Sequence, residues 1–126
     1  RRAINFIRRT QRHDGPWYGR WGVNYVYGTW SVLRGLAAIG ENMEQEYVQR
    51  AVRWLERRQN ADGGWGETCD SYENPELAGR GESLPSQTAW ALLALFAAGR
   101  FTGHEYGSRY VADVQDDVHF GLLLHL

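Results

Sequence analysis

Two kinds of apolar pattern alternate along this chain. Around residue 50, Val48, Ala51, Val52 and Leu55 recur at the i, i+3, i+4, i+7 spacing of one helical face. Arg50, Arg53, Glu56 and Arg57 take the opposite face. The opening run RRAINFIRR has the same register. The runs TWSVLRGLAAIG and SQTAWALLALFAAG differ: they are apolar nearly all round, the pattern of a helix covered on most sides. Amphipathic and apolar helices in alternation predict an all-α fold, a partial (α/α) barrel or toroid with outer amphipathic and inner apolar helices. A right-angle solenoid is the plainer alternative, but its helix pairs are less unequal in polarity.

The alternation rests on a repeat. Residues 2–17 (RAINFIRRTQRHDGPW) and 50–65 (RAVRWLERRQNADGGW) match 48 residues apart. Gln11 pairs with Gln59, Asp14 with Asp62, Gly15 with Gly63 and Trp17 with Trp65. Asn42 followed by Gln45 reads as a capping box for the second amphipathic helix. Asp-Gly reads as the stop of each copy, because glycine accepts the left-handed backbone. Asp14 and Asp62 are therefore turn residues before they are acids. Trp30 and Trp90 take matching places in the apolar helices, and with Trp54 they read as core. The link to Trp90 is the longer one. Its extra length lies in GETCDSYENPELAGRGESLPS, whose Gly, Pro, Ser and Glu content marks a loop. Long loops inside compact domains are often functional, and a plain surface excursion is the competing reading. A third copy starts at 107–115, where Gly107, Tyr110, Val111 and Gln115 fit, and then fails. It reads as a degenerate last repeat or a damaged end, with damage favoured, and the start of the chain, in helical register and without Met, reads as cut.

Composition narrows the function classes. The chain has 126 residues, the size of one domain or less, with six tryptophans and a net charge of −1. That balance argues against a nucleic-acid surface. A single cysteine, Cys69, excludes an internal disulfide. No Ser-His-Asp arrangement, phosphate loop or nucleotide fingerprint is present. The stretch RWGVNYVYGTW stands out, with four aromatics in eleven residues and no charge after its first arginine.

The repeated turn resembles the QW repeat of triterpene cyclases. DGPWYGRWGVNYVYGTWSVL and QNADGGWGETCDSYENPELAGRGESLPSQTAWALLAL are similar to consecutive segments of squalene–hopene cyclases, a likeness that covers about residues 1–100. The resemblance implies a piece of one α/α-barrel domain from the C-terminal part of a longer enzyme, spanning residues 1–126 without a second domain. Such an enzyme folds squalene in a cavity, protonates it with an Asp-x-Asp-Asp motif and closes rings through carbocations. This sequence contains no Asp-x-Asp-Asp, so no general acid is assigned and the chain alone is expected to be inactive.

By the same resemblance Trp21 lines the cavity near the initiation end. Tyr27 belongs to the hydrogen-bond network around the acid, and Tyr25 is a further cation-lining candidate. Ring faces suit a carbocation because they offer negative charge without a nucleophile. An aromatic between two helices is ordinarily core, and it is the motif that lifts Trp21 and Tyr27 above that reading. Gln11, Gly15, Trp17, Gln59, Gly63 and Trp65 are assigned to structure, each Gln tying its turn to a neighbouring helix end while the indole packs beside it. Asn24 stands where eukaryotic oxidosqualene cyclases carry Cys, which favours the bacterial, squalene-using type. The implied partners are squalene, the remainder of the cyclase chain, a membrane surface and a second copy in a homodimer; no cofactor or metal is expected. The implied location is the cytoplasmic side of the bacterial inner membrane, as a monotopic peripheral protein.

Two readings compete. A zinc-dependent prenyltransferase β subunit shares the toroid, and Glu67-Thr68-Cys69 with His104 or His119 resembles its carboxylate, thiolate and imidazole ligands. A non-catalytic helical-repeat binding module would explain the repeat but not the aromatic segment.

Overall fold

A computed structural model of the chain describes residues 1–20 and 22–100. Trp21, His104, His119 and the third repeat start at 107–115 lie outside the described residues. Among the described residues the fold is all-α: α1 (Arg2–Thr10), α2 (Tyr25–Ala38), α3 (Glu46–Arg58) and α4 (Pro85–Ala97), with two 3-10 turns, Cys69–Tyr72 and Pro75–Leu77, between α3 and α4.

The two patterns sort the helices into layers. α3 buries Val48, Ala51, Val52, Trp54 and Leu55 and leaves Arg53, Glu56 and Arg57 exposed, as its period requires. Arg50 departs from that expectation. It is half-buried, because its guanidinium donates to Gln11 Oε1 at 2.9 Å. α2 and α4 pack most extensively against each other and supply Val26, Leu33, Leu36, Leu92 and Leu95 to the core. They form the inner layer, and α1 and α3 lie outside them.

The helix ends differ from the sequence expectation in two ways. α1 and α3 stop at Gln11 and Gln59, whose backbones are extended, four residues before the left-handed glycines Gly15 and Gly63. Each glutamine side chain bonds forward into the turn, which favours the extended exit. The Asp-Gly pair therefore shapes the turn and does not stop the helix. Asn42 also does not cap α3. Its side chain accepts from Glu44 N at 3.0 Å, closing a local turn, and Gln45 precedes the helix without a side-chain cap bond.

Two side-chain bonds define the repeated turn in both copies. Gln11 Nε2 donates to Gly15 O and Gln59 Nε2 to Gly63 O, both at 2.8 Å. Trp17 Nε1 donates to Ile7 O at 2.7 Å and Trp65 Nε1 to Leu55 O at 2.8 Å. Gln11 also donates to Tyr47 O at 2.7 Å in the first turn of α3, joining its own turn to the next outer helix. Gly15 has a geometric reason: a Cβ there would lie 2.5 Å from Arg50 O.

These bonds also correct the inner-helix register. Trp17 N donates to Thr29 Oγ1 at 3.1 Å and Trp65 N to Thr88 Oγ1 at 3.0 Å. Thr29 and Thr88 are thus the matching positions, which places Trp30 opposite Ala89 and not Trp90. The two tryptophans share a residue type without sharing a structural place.

Candidate functional site: the aromatic start of helix α2

The segment before α2 folds back over the helix it introduces. Gly19 and Gly28 touch through their backbones, and a Cβ on Gly28 would run into the Trp17 carbonyl. This closure presents the first turns of α2 to α4. Gly22 lies flat against the Tyr27 ring, where a Cβ would sit 2.5 Å from Tyr27 Cγ.

The rings then form two groups. Tyr27 packs on Trp90 edge to face (centroids 4.9 Å, 72°) and on Trp30 at 5.4 Å, while Trp30 and Trp90 stack at 6.3 Å and 17°. These geometries fit attractive quadrupole contacts. Tyr27 and Trp90 are each half-buried, at the head of the sides that α2 and α4 leave partly open; Ser31 and Arg34 continue that side in α2, and Leu93 and Ala97 in α4. Tyr25 belongs to the other group. It is buried, packs edge-on to Tyr18 at 5.8 Å, and carries the Arg12 guanidinium 5.5 Å above its ring. The structure therefore does not bring Tyr25 to Tyr27, although only Val26 separates them in sequence.

Polar groups from the long link hold this segment by its backbone. Glu67 is buried, and its carboxylate accepts from Asn24 N (3.1 Å), Tyr25 N (3.1 Å) and Val26 N (2.9 Å). Those are the free amides of the α2 N-terminus, where a negative charge is also favoured by the helix dipole. Asn24 is fully buried. Its Oδ1 accepts from Gly19 N at 3.2 Å, and its Nδ2 donates to Ser71 Oγ at 3.2 Å. The two bonds use separate donor and acceptor atoms of the amide, where a thiol offers one sulfur that is weak in both roles. The Tyr72 hydroxyl donates to Gly22 O at 3.0 Å, and Gln87 Nε2 donates to Val23 O. Burial pushes the Tyr72 phenol above its ordinary value.

The sequence offered Glu67 only as a zinc ligand in the competing reading, and Ser71, Tyr72 and Gln87 carry no functional reading there. A Glu in a polar loop has no periodic signature, and the bonds span 41 to 64 residues. The one available signal was the threonine pair, since aligning on Thr29 and Thr88 gives the register that aligning on tryptophan misses.

The geometry does not favour the zinc reading of Glu67-Thr68-Cys69, whose imidazole candidates lie outside the described residues. Both Glu67 oxygens face backbone amides, and the Cys69 thiol is exposed. Among the described residues no three His, Cys, Asp or Glu side chains gather as a metal site. None of the helices described is long and apolar enough to cross a membrane.

Comparison with known proteins gives the same direction. Residues 1–119 match the family described as squalene-hopene cyclase C-terminal domain. The squalene hopane cyclase afumA of Aspergillus fumigatus is 47% identical over 92% of this chain and 17% of its own length. The squalene–hopene cyclase of Alicyclobacillus acidocaldarius is 51% identical over 91% of this chain and 18% of its own. A dammaradiene synthase of Dryopteris crassirhizoma is 46% identical over 81% and 16%. The chain thus spans less than a fifth of the relatives it matches.

Proposed function

Because the chain belongs to the squalene-hopene cyclase C-terminal domain family, we propose that it is a segment of a squalene–hopene cyclase, an isomerase that closes squalene to a pentacyclic hopanoid. The observation that carries this reading is the Tyr27–Trp30–Trp90 ring group at the meeting of two inner helices. The reaction is a proton-initiated carbocation cascade, and the aromatic segment faces the developing charge. Cation–π attraction is worth about 2 kcal/mol or more once water is excluded. If it acts on the transition state alone, that is more than tenfold in rate.

Trp21 and Tyr27 line the cavity in this proposal, and Tyr25 supports them from behind with its face already covered by Arg12. The general acid comes from the remainder of the cyclase chain, since this sequence has no Asp-x-Asp-Asp. The zinc prenyltransferase reading is not favoured, because Glu67 is occupied as a helix cap. The relatives include a dammaradiene synthase beside squalene–hopene cyclases, so family membership alone does not fix the ring skeleton formed. The parent enzyme acts as a monotopic protein on the cytoplasmic face of a bacterial inner membrane, with squalene drawn from the bilayer and a second copy as partner.

The test is direct. The full-length cyclase is incubated with squalene and the neutral lipids are analysed. Pentacyclic product is expected, with Trp21→Leu slowing the reaction or releasing partly cyclised products. Absence of cyclised product from the wild-type enzyme overturns the proposal. Residues 1–126 alone are expected to turn over no squalene.

A further inference from the structure

Gln87 is almost fully buried (3% exposed) in the first turn of α4. Its amide nitrogen donates to the Val23 carbonyl. That carbonyl precedes the helical ladder of α2, whose Gly28 N–H bonds to Asn24 O, so its partner comes from another element. Trp90 lies three residues beyond Gln87, on the same face of α4. Tyr27 lies four residues beyond Val23. Two ties therefore run side by side between the same elements: an amide on the backbone at Val23, and an indole on the ring at Tyr27, 4.9 Å between centroids. They stand about one helical turn apart.

For packing alone an apolar side chain would serve better. Gln87 Oε1 is buried with no hydrogen-bond partner among the described residues, a desolvation cost that leucine would not carry. The amide is justified by the bond it makes.

We propose that Gln87 is a positioning residue for cyclisation: by fixing the Val23 carbonyl it sets the start of α2 against α4 and holds the Tyr27 ring against Trp90. This rests on the cyclase reading above. Gln87 touches no reacting atom and acts through Tyr27.

The test compares Gln87→Leu and Gln87→Glu in the full-length cyclase. Gln87→Leu is expected to lower kcat about tenfold or more with little change in KM, because small displacements of a positioned group are costly. The share of incompletely cyclised product should rise. Gln87→Glu should be impaired at neutral pH and recover, relative to wild type, as the pH falls, because only the protonated carboxyl can donate to Val23 O. It also carries the test if Gln87→Leu does not fold. Unchanged product ratios in both variants, with no acid recovery of Gln87→Glu, would overturn the proposal. If the wild-type enzyme cyclises no squalene, the failure belongs to the cyclase reading. A crystal structure of Gln87→Leu then decides for Gln87: a Tyr27–Trp90 separation still at 4.9 Å overturns it, and a wider one supports it.

Discussion

The two repeats share a turn and differ in the link that leads from it to the inner helix. The Gln-to-Gly and Trp-to-helix bonds recur in both, yet Trp17 reaches its threonine after 12 residues and Trp65 after 23. The first link is short and aromatic and turns back on its own helix through Gly19 and Gly28. The second is longer and polar, and much of its chemistry is directed at the first. At the position of Gly19, two residues past the tryptophan, the second repeat has Glu67, and that carboxylate caps α2 from outside. Among the described residues α4 receives no such cap; it begins with proline, which has no amide hydrogen to satisfy. The lesson is a division of labour. The repeated turn builds the scaffold, and the long link of one repeat fixes the aromatic segment of the other.

That asymmetry can be broken at its strongest point first. Glu67→Ala leaves three amides at a buried helix start without their acceptor, and a loss of about 3–5 kcal/mol in stability is expected. Ser86→Ala, at the exposed start of α4, should stay within about 0.5 kcal/mol. Urea unfolding of the full-length enzyme, monitored by tryptophan fluorescence, makes the comparison; equal losses would end the claim that the two helix starts differ.

Two glycines sharpen the same contrast at lower cost. Gly22→Ala drives a methyl into the Tyr27 ring and should cost about 1–3 kcal/mol while altering product ratios. Gly35→Ala, near the other end of α2, meets nothing within 4 Å and should be neutral or stabilising by up to about 1 kcal/mol. Product analysis that cannot tell the two variants apart would remove the Tyr27 contact from the account.

The shared half of the comparison makes its own demand. Thr29→Val and Thr88→Val each remove the acceptor of a buried tryptophan amide, and each should cost about 1–3 kcal/mol. Costs that agree support the threonine register; a large difference favours the tryptophan alignment. The smallest effect is expected at Cys69→Ser. The thiol is exposed, and activity should remain within about twofold of wild type. A collapse of activity restored by zinc would revive the metal reading.

The legible parts of this fold were local. Apolar spacing gave the helix types, and the Gln-to-Trp turn could be read because its bonds close within ten residues or join adjacent copies. The Asp-Gly stop was misplaced because glutamine, with good helix propensity, leaves the helix for a side-chain bond that propensity does not describe. Trp30 and Trp90 misled because residue type stood in for position. The Glu67 cap and the Gln87 tie were illegible for another reason. They join residues more than 40 apart, through backbone atoms that leave no mark on the sequence.

The central claim is that the long link holds the start of α2, and amide hydrogen exchange in the full-length enzyme tests it most directly. Wild type is compared with Glu67→Gln, which keeps the size of the side chain but turns an amide group toward amide donors. The account predicts that Asn24, Tyr25 and Val26 lose protection while the amides of α3 keep theirs. Unchanged protection at those three residues, or an equal loss through α3, would contradict it.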